Sequence, residues 1–224
     1  MIWIIFIGFA LLSWLISYQL KRRFKEYSLI PTANGMSGKE VVEKMLRDHM
    51  IYGVKIESVE GQLTDHYNPA DKTINLSEEV YYGTNVAAAA VAAHETGHAV
   101  QHAQAYAWLG LRSSLVPAVS FSSRYLQWVL LGGILLVNSF PALLLFGIFL
   151  FAITTLFSFI TLPVEINASN RALAWLQTSG ITTVQTHEKA EDALRWAGYT
   201  YVIAALSSLA TLLYYIAIYM GRRD

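Results

Sequence analysis

The stretch "VAAHETGHAVQH", Val91 to His102, places three histidines and a glutamate in an alanine-rich run. His94, His98 and His102 are spaced by four, so on a helix they share one face. Alanine is the strongest helix former, and it surrounds them on the amino-terminal side. His94-Glu95-Thr96-Gly97-His98 is H-E-x-x-H. On one helical turn both rings can point a nitrogen at a single Zn²⁺, while Glu95 lies beside them as a base for a water molecule. Zinc lowers the pKa of such a water towards ~7 and polarises a carbonyl for attack. Gly97 costs helix stability, about 1 kcal/mol relative to alanine, and a glycine there makes room for neighbouring backbone.

A catalytic zinc usually takes three protein ligands and keeps one position open. The chain has no cysteine, so any third ligand must be His, Asp or Glu. His102 is convenient in sequence, but ligands at i, i+4 and i+8 lie almost in a line about 12 Å long on a straight helix. One ion with bonds near ~2 Å does not bridge that distance, which points to a supporting role for His102. Glu165, in "TLPVEINASNRA", is the other candidate. A glutamate next to an apolar run can equally be an interfacial residue, so the residues alone leave the third ligand open.

The apolar segments set the class. Of 224 residues, 54% are hydrophobic, and 16 basic residues balance 16 acidic ones. No basic stripe suggests nucleic acid. Residues 1–20, "MIWIIFIGFALLSWLISYQL", end at "KRRFK" and have the length of a bilayer core. The charges follow the apolar run and no cleavage site is apparent, so a retained anchor is expected. Further spans are expected at 114–137 (which carries Arg124), at 142–162 and at 197–220. The polar sections 21–113 and 163–195 then face the same side, because the second and third spans form a hairpin. The expected fold is a mainly α membrane protein with four transmembrane helices and a small α+β zincin-like catalytic region at the membrane surface. Ser37 and Glu40 fit a capping box, and residues 54–77 suggest a small strand and hairpin unit with a turn at Asn68-Pro69.

Together, "AAHETGHAVQH", "GQLTDHYNPADKTINLSEEVYYG" and "LPVEINASNRA" resemble the YugP-like integral-membrane zinc metallopeptidases, over nearly the whole chain. The layout is similar to the HtpX-type membrane proteases, which are gluzincins. The resemblance implies His94, His98 and Glu165 as metal ligands, Glu95 as general base, Zn²⁺ as cofactor, and a peptide or membrane-protein substrate. Ser169 departs from the HtpX-type pattern, which has an aspartate there to orient a ligand histidine; Asn167 or Asn170 offers a substitute. The implied activity is that of a zinc-dependent endopeptidase, and the alternative is a catalytically inactive zinc-binding membrane scaffold or regulator.

Other residues carry weaker signals. His66 falls in the expected strand region, which could line a peptide cleft by strand addition. His49 and His187 read as surface residues. Arg124, within an apolar segment, is costly unless it snorkels or meets a carboxylate. Lys21, Arg22, Arg23, Lys25, Arg171, Lys189 and Arg195 fall on the catalytic side, which the positive-inside rule assigns to the cytoplasm. Four spans would carry Arg222 and Arg223 to the outside, against that rule; the first basic cluster is given precedence. A multi-pass protein of the plasma membrane is expected.

Overall fold

The computed structural model describes residues 2–221, with side chains from Phe6 onward. The expected span at 1–20 therefore lies partly outside the described residues, as do Arg222 and Arg223. The chain divides into two compact units, Met1–Leu15 with Gly110–Leu162 and Thr200–Asp224, and Ile16–Leu109 with Pro163–Tyr199.

The chain order is α1 (Ile2–Tyr27), α2 (Gly38–Asp48), β1 (Lys55–Val59), β2 (His66–Asn68), β3 (Thr73–Ser77), α3 (Glu78–Tyr81), α4 (Val86–Ala103), α5 (Ala107–Leu135), α6 (Pro141–Thr178) and α7 (Val184–Met220). The protein is mainly helical with one three-stranded sheet.

In the first unit, Leu130, Leu144 and Ile148 form a small core joined by Leu212 and Tyr215. A Cβ on Gly133 would come within 2.7 Å of the Leu144 backbone, so only glycine lets α5 and α6 approach that closely. Among the described residues, two helices, α6 and α7, are long and apolar enough to cross a membrane, where four spans were expected. The segment 114–137 is helical within α5, but Arg124, Gln127 and the serines at 120, 122 and 123 interrupt its apolar run. Such residues make insertion of a spanning helix less favourable. Only 6% of the most apolar window of α7 is buried by protein. An apolar helix that the protein itself leaves uncovered is unlike the core helix of a soluble domain.

The second unit holds the polar sections. Ser37 caps α2: its hydroxyl accepts the Glu40 N–H while Glu40 accepts the Ser37 N–H at 2.7 Å, the capping box expected from sequence. The buried face of α2, with Val41, Val42 and Met45, packs in one core with Ile74 and Leu76 of β3 and the alanines of α4. The sheet order is β1-β3-β2, with β3 parallel to β1 and antiparallel to β2. His66 pairs with Asn75, Tyr67 with Ile74 and Asn68 with Thr73. This makes β2 an edge strand.

Asn85 begins α4, its side chain accepting the Ala88 N–H. Alanines and valines fill the helix up to the histidines, and nearly all are buried. Small side chains let other elements pack close on every side of it. A Cβ on Gly97 would stand 2.8 Å from the Ala168 carbonyl oxygen of α6, so α4 and α6 meet backbone to backbone at this glycine. The helix α6 continues without a break through Pro163, which costs the ladder one N–H, and so carries Glu165 and Ser169 on one rigid rod past the histidines.

Candidate metal centre

Helical spacing on α4 turns His94 and His98 to the same side, ring centroids 4.9 Å apart and nearly perpendicular. Glu165 comes from α6. Its Oε2 lies 3.3 Å from His94 Nε2 and 3.6 Å from His98 Nε2. One donor atom from each residue lies within 4.8 Å of the others. Donor atoms around a tetrahedral ion with bonds of ~2 Å are separated by roughly 3.3 Å, so this spacing already approximates a coordination shell.

The outer nitrogens are occupied. The Gln101 amide donates from Nε2 to the Val164 carbonyl at 2.8 Å and to Asn167 Oδ1 at 3.0 Å, which turns its Oε1 to His98 Nδ1 at 3.0 Å. His98 Nδ1–H therefore donates to Gln101, and its Nε2 lone pair faces the Glu165 carboxylate. Ser169 Oγ sits 3.1 Å from His94 Nδ1 and does the same for that ring. A ligand histidine is commonly oriented in this way, by a partner on its other nitrogen. The His₂Glu donor set, with no thiolate and both Nε2 atoms turned inward, fits a divalent ion of zinc's coordination habits.

The electrostatics agree. Glu165 is 3% exposed; burial alone would raise its pKa, but the hydrogen bonds with His94 and His98 hold it well below the usual carboxylate range. Burial likewise opposes protonation of His98, yet its bond to Glu165 and the charge of Glu95 push its pKa above the ordinary value. The pocket thus favours a positive charge against the Glu165 carboxylate.

Glu95 is buried beside this cluster, and its Oε2 accepts the backbone N–H of Tyr67 at 3.1 Å. That N–H belongs to the edge strand β2. His102 is not part of the cluster: its Nδ1 lies 2.7 Å from the Tyr67 hydroxyl, and its side chain is exposed. His66 is exposed on β2, its Nδ1 against the Thr64 carbonyl. His49 bonds the Met45 carbonyl and His187 the Thr182 hydroxyl. Arg124 is exposed on α5.

The sequence model of a family described as "Putative neutral zinc metallopeptidase" matches residues 2–220. The chain belongs to that family. A relative from Bacillus subtilis (strain 168), the "Putative membrane protease YugP", is 39% identical over 213 residues, covering 95% of this chain and 94% of that one. No solved structure matches the chain.

Within this zinc metallopeptidase family member, sequence reasoning missed Gln101 and Tyr67. Gln101 is fully buried, and its place three residues after His98 was the available signal: i, i+3 side chains meet on a helix. Nothing local marks Tyr67, because its contribution is a main-chain N–H. At the position where the HtpX-type pattern has aspartate, the Ser169 hydroxyl reaches His94 directly, while Asn167 acts at one remove through Gln101 and is itself held by Arg171 Nε at 2.7 Å.

Proposed function

We propose that the protein is a zinc-dependent membrane endopeptidase in which His94, His98 and Glu165 hold the ion and Glu95 is the general base. The observation that carries this reading is the convergence of both histidine Nε2 atoms on the Glu165 carboxylate, with Glu95 at their side. When bound, zinc would acidify water and polarise the scissile carbonyl. Ser169 and Gln101 keep the two rings from turning away. Glu95, with Oε2 held by the Tyr67 N–H, presents Oε1 to take the proton of the attacking water and then gives it to the leaving amine. Burial keeps the carboxylate in a medium where its charge is weakly screened.

Glu95→Gln tests the assignment. Peptide hydrolysis should fall by at least ~10²-fold while zinc content, measured by atomic emission, stays unchanged. Wild-type rates in that variant would remove the base. A wild type that holds zinc and hydrolyses no peptide would favour the inactive scaffold.

The same reading takes α5, α6 and α7 across the bilayer, because His94 precedes α5 and Glu165 follows the apolar run of α6 in one site. The segment between the apolar runs of α6 and α7 then lies on the same side as α4. That segment carries Arg171, Lys189 and Arg195, whereas residues 136–140 between α5 and α6 carry no Lys or Arg, so the positive-inside rule assigns it to the cytoplasm. Juxtamembrane peptides and membrane-protein fragments are then the accessible substrates. The chain has no cysteine, so a single Lys189→Cys introduces a unique thiol. An impermeant reagent should label it only after lysis; labelling in intact cells would reverse the orientation.

A further inference from the structure

The α2–β1 loop, the turn between β2 and β3 and the last turn of α4 enclose a cavity of about 450 Å³. That is within the size range of small-ligand pockets. Its lining includes Ala99, which directly follows the ligand candidate His98, and Tyr67, whose N–H holds Glu95. The cavity therefore shares a wall residue with the reaction site while containing none of the residues proposed to hold metal.

Its polar side chains are those of His49, Tyr52, Tyr67, Lys72, His102 and Gln104, of which the Tyr67 hydroxyl and His102 are bonded to each other. Lys72 supplies an ammonium. His49 is tied through Nδ1 to the Met45 carbonyl, which leaves Nε2 for another partner. Gln104 accepts from Arg171 at Oε1, 2.6 Å away, which leaves its amide hydrogens available. Among the described residues, no carboxylate lines the cavity. Two acids lie nearby: Asp48 is bonded by Lys44 and by the Trp175 indole, whereas Asp71 is exposed in the same turn as Lys72 and close enough to act on the Tyr67 hydroxyl. Met50 and Lys72, both in the lining, hold left-handed backbone conformations at φ 55°. Such conformations in non-glycine residues cost energy and persist where surrounding structure enforces them.

We infer that this cavity is the subsite for a carboxylate of the substrate peptide, an Asp or Glu side chain or the terminal carboxylate, received by Lys72 with His49 and Gln104. The inference rests on the peptidase reading for the word substrate, but the binding preference stands by itself. A charge-assisted bond in a partly enclosed cavity is stronger than a neutral one, and an ammonium opposite a cationic side chain repels it.

The test uses the full-length Glu95→Gln variant, loaded with zinc in detergent micelles, and fluorescent peptides that differ at one position, Glu, Gln or Lys, each with a free or amidated terminus. Anisotropy should give about tenfold tighter binding for the carboxylate-bearing peptide than for its neutral counterpart. Loss on Glu→Gln identifies a side chain as the source, and loss on amidation identifies the terminus. Adding Lys72→Met should bring the ratio to within about twofold, and Lys72→Arg should restore it. Equal binding of charged and neutral peptides, or tighter binding of the Lys peptide through Asp71, overturns the inference. Cleavage of the same peptides by wild type reads the peptidase separately: preference without cleavage retains the subsite and removes the peptidase, and cleavage without preference does the reverse.

Discussion

The backbone N–H of Tyr67 donates to Glu95 Oε2 across 3.1 Å, so the edge of the small sheet holds the carboxylate beside the paired histidines. This N–H points away from β3, where an added strand would otherwise pair with it. It fixes one carboxylate oxygen and leaves the other for chemistry. A hydrogen bond to a charged group is worth about 1.5–3 kcal/mol. Tyr67→Pro removes the donor at a position where an edge strand tolerates proline. The expected result is a drop of roughly 10–100-fold in kcat with zinc content close to wild type, read by peptide hydrolysis. Tyr67→Ala, which loses the same ring and its bond to His102 but keeps the N–H, should retain far more of the kcat. An unchanged kcat in Tyr67→Pro would mean that the bond does not position the base.

Ser169 and Gln101 hold the far nitrogens of His94 and His98, and each should matter for metal affinity. Removing such a partner typically costs 10–100-fold. Ser169→Ala should weaken zinc by about that factor in competition with a chromophoric chelator. Ser169→Asp, which offers the His94 Nδ1–H a charged acceptor, should tighten it. Gln101→Leu should be worse than Ser169→Ala, because the His98 ring that loses its acceptor is the more deeply buried of the two. Equal zinc affinity in all three would show that the rings are held by packing alone.

How much of this was legible in sequence depends on the range of the interaction. The course of α4 was legible because its signals are local: Asn85 at the cap, alanines behind it, histidines four apart. The capping box at Ser37 and Glu40 is likewise a matter of three residues. Glu165 was legible only through resemblance, since 71 residues separate it from His94 and no pattern in "LPVEINASNRA" encodes a crossing point. The crossing depends on Gly97 fitting against Ala168, a fact about two backbones. Tyr67 was hidden because any residue except proline could donate that N–H. The α5 segment, expected as a span, is helical as expected, but its apolar run is less apolar than those of α6 and α7, because Arg124 and Gln127 sit in the middle of it.

The Gly97 contact can be tested directly. A methyl group there would meet the Ala168 carbonyl at 2.8 Å, and neither partner is a flexible side chain. The two helices must separate by several tenths of an ångström, with an overpacking cost of about 1–3 kcal/mol. The intrinsic helix propensity of alanine recovers about 1 kcal/mol. Gly97→Ala should therefore leave the thermal midpoint only slightly lower while zinc affinity falls, because the separation falls between the histidines on α4 and Glu165 on α6. A variant with wild-type zinc affinity would show that α6 shifts along its axis without opening the site.

The coupled charges of His98 and Glu165 predict how zinc and pH act together. The pKa of His98 is raised above 6.5 in the folded protein, so its contribution to stability is complete below that value and is lost as pH rises through the raised one. The pKa of Glu165 is lowered from 4.5, so its contribution is complete above that value and is lost on acidification. The metal-free protein therefore draws most from this pair between about pH 4.5 and 6.5, and less at pH 8. Zinc acts in the opposite sense, because it needs His98 without its proton and binds more tightly as pH rises. The difference in melting temperature between zinc-saturated and chelator-treated protein should widen steadily from pH 6 to pH 8.5. In Glu165→Gln, which has no anion to pair with either a proton or the metal, the gap should be small and flat across that range. A gap of constant size in the wild type would mean that zinc displaces no proton when it binds, and that the ion is held somewhere other than against His98.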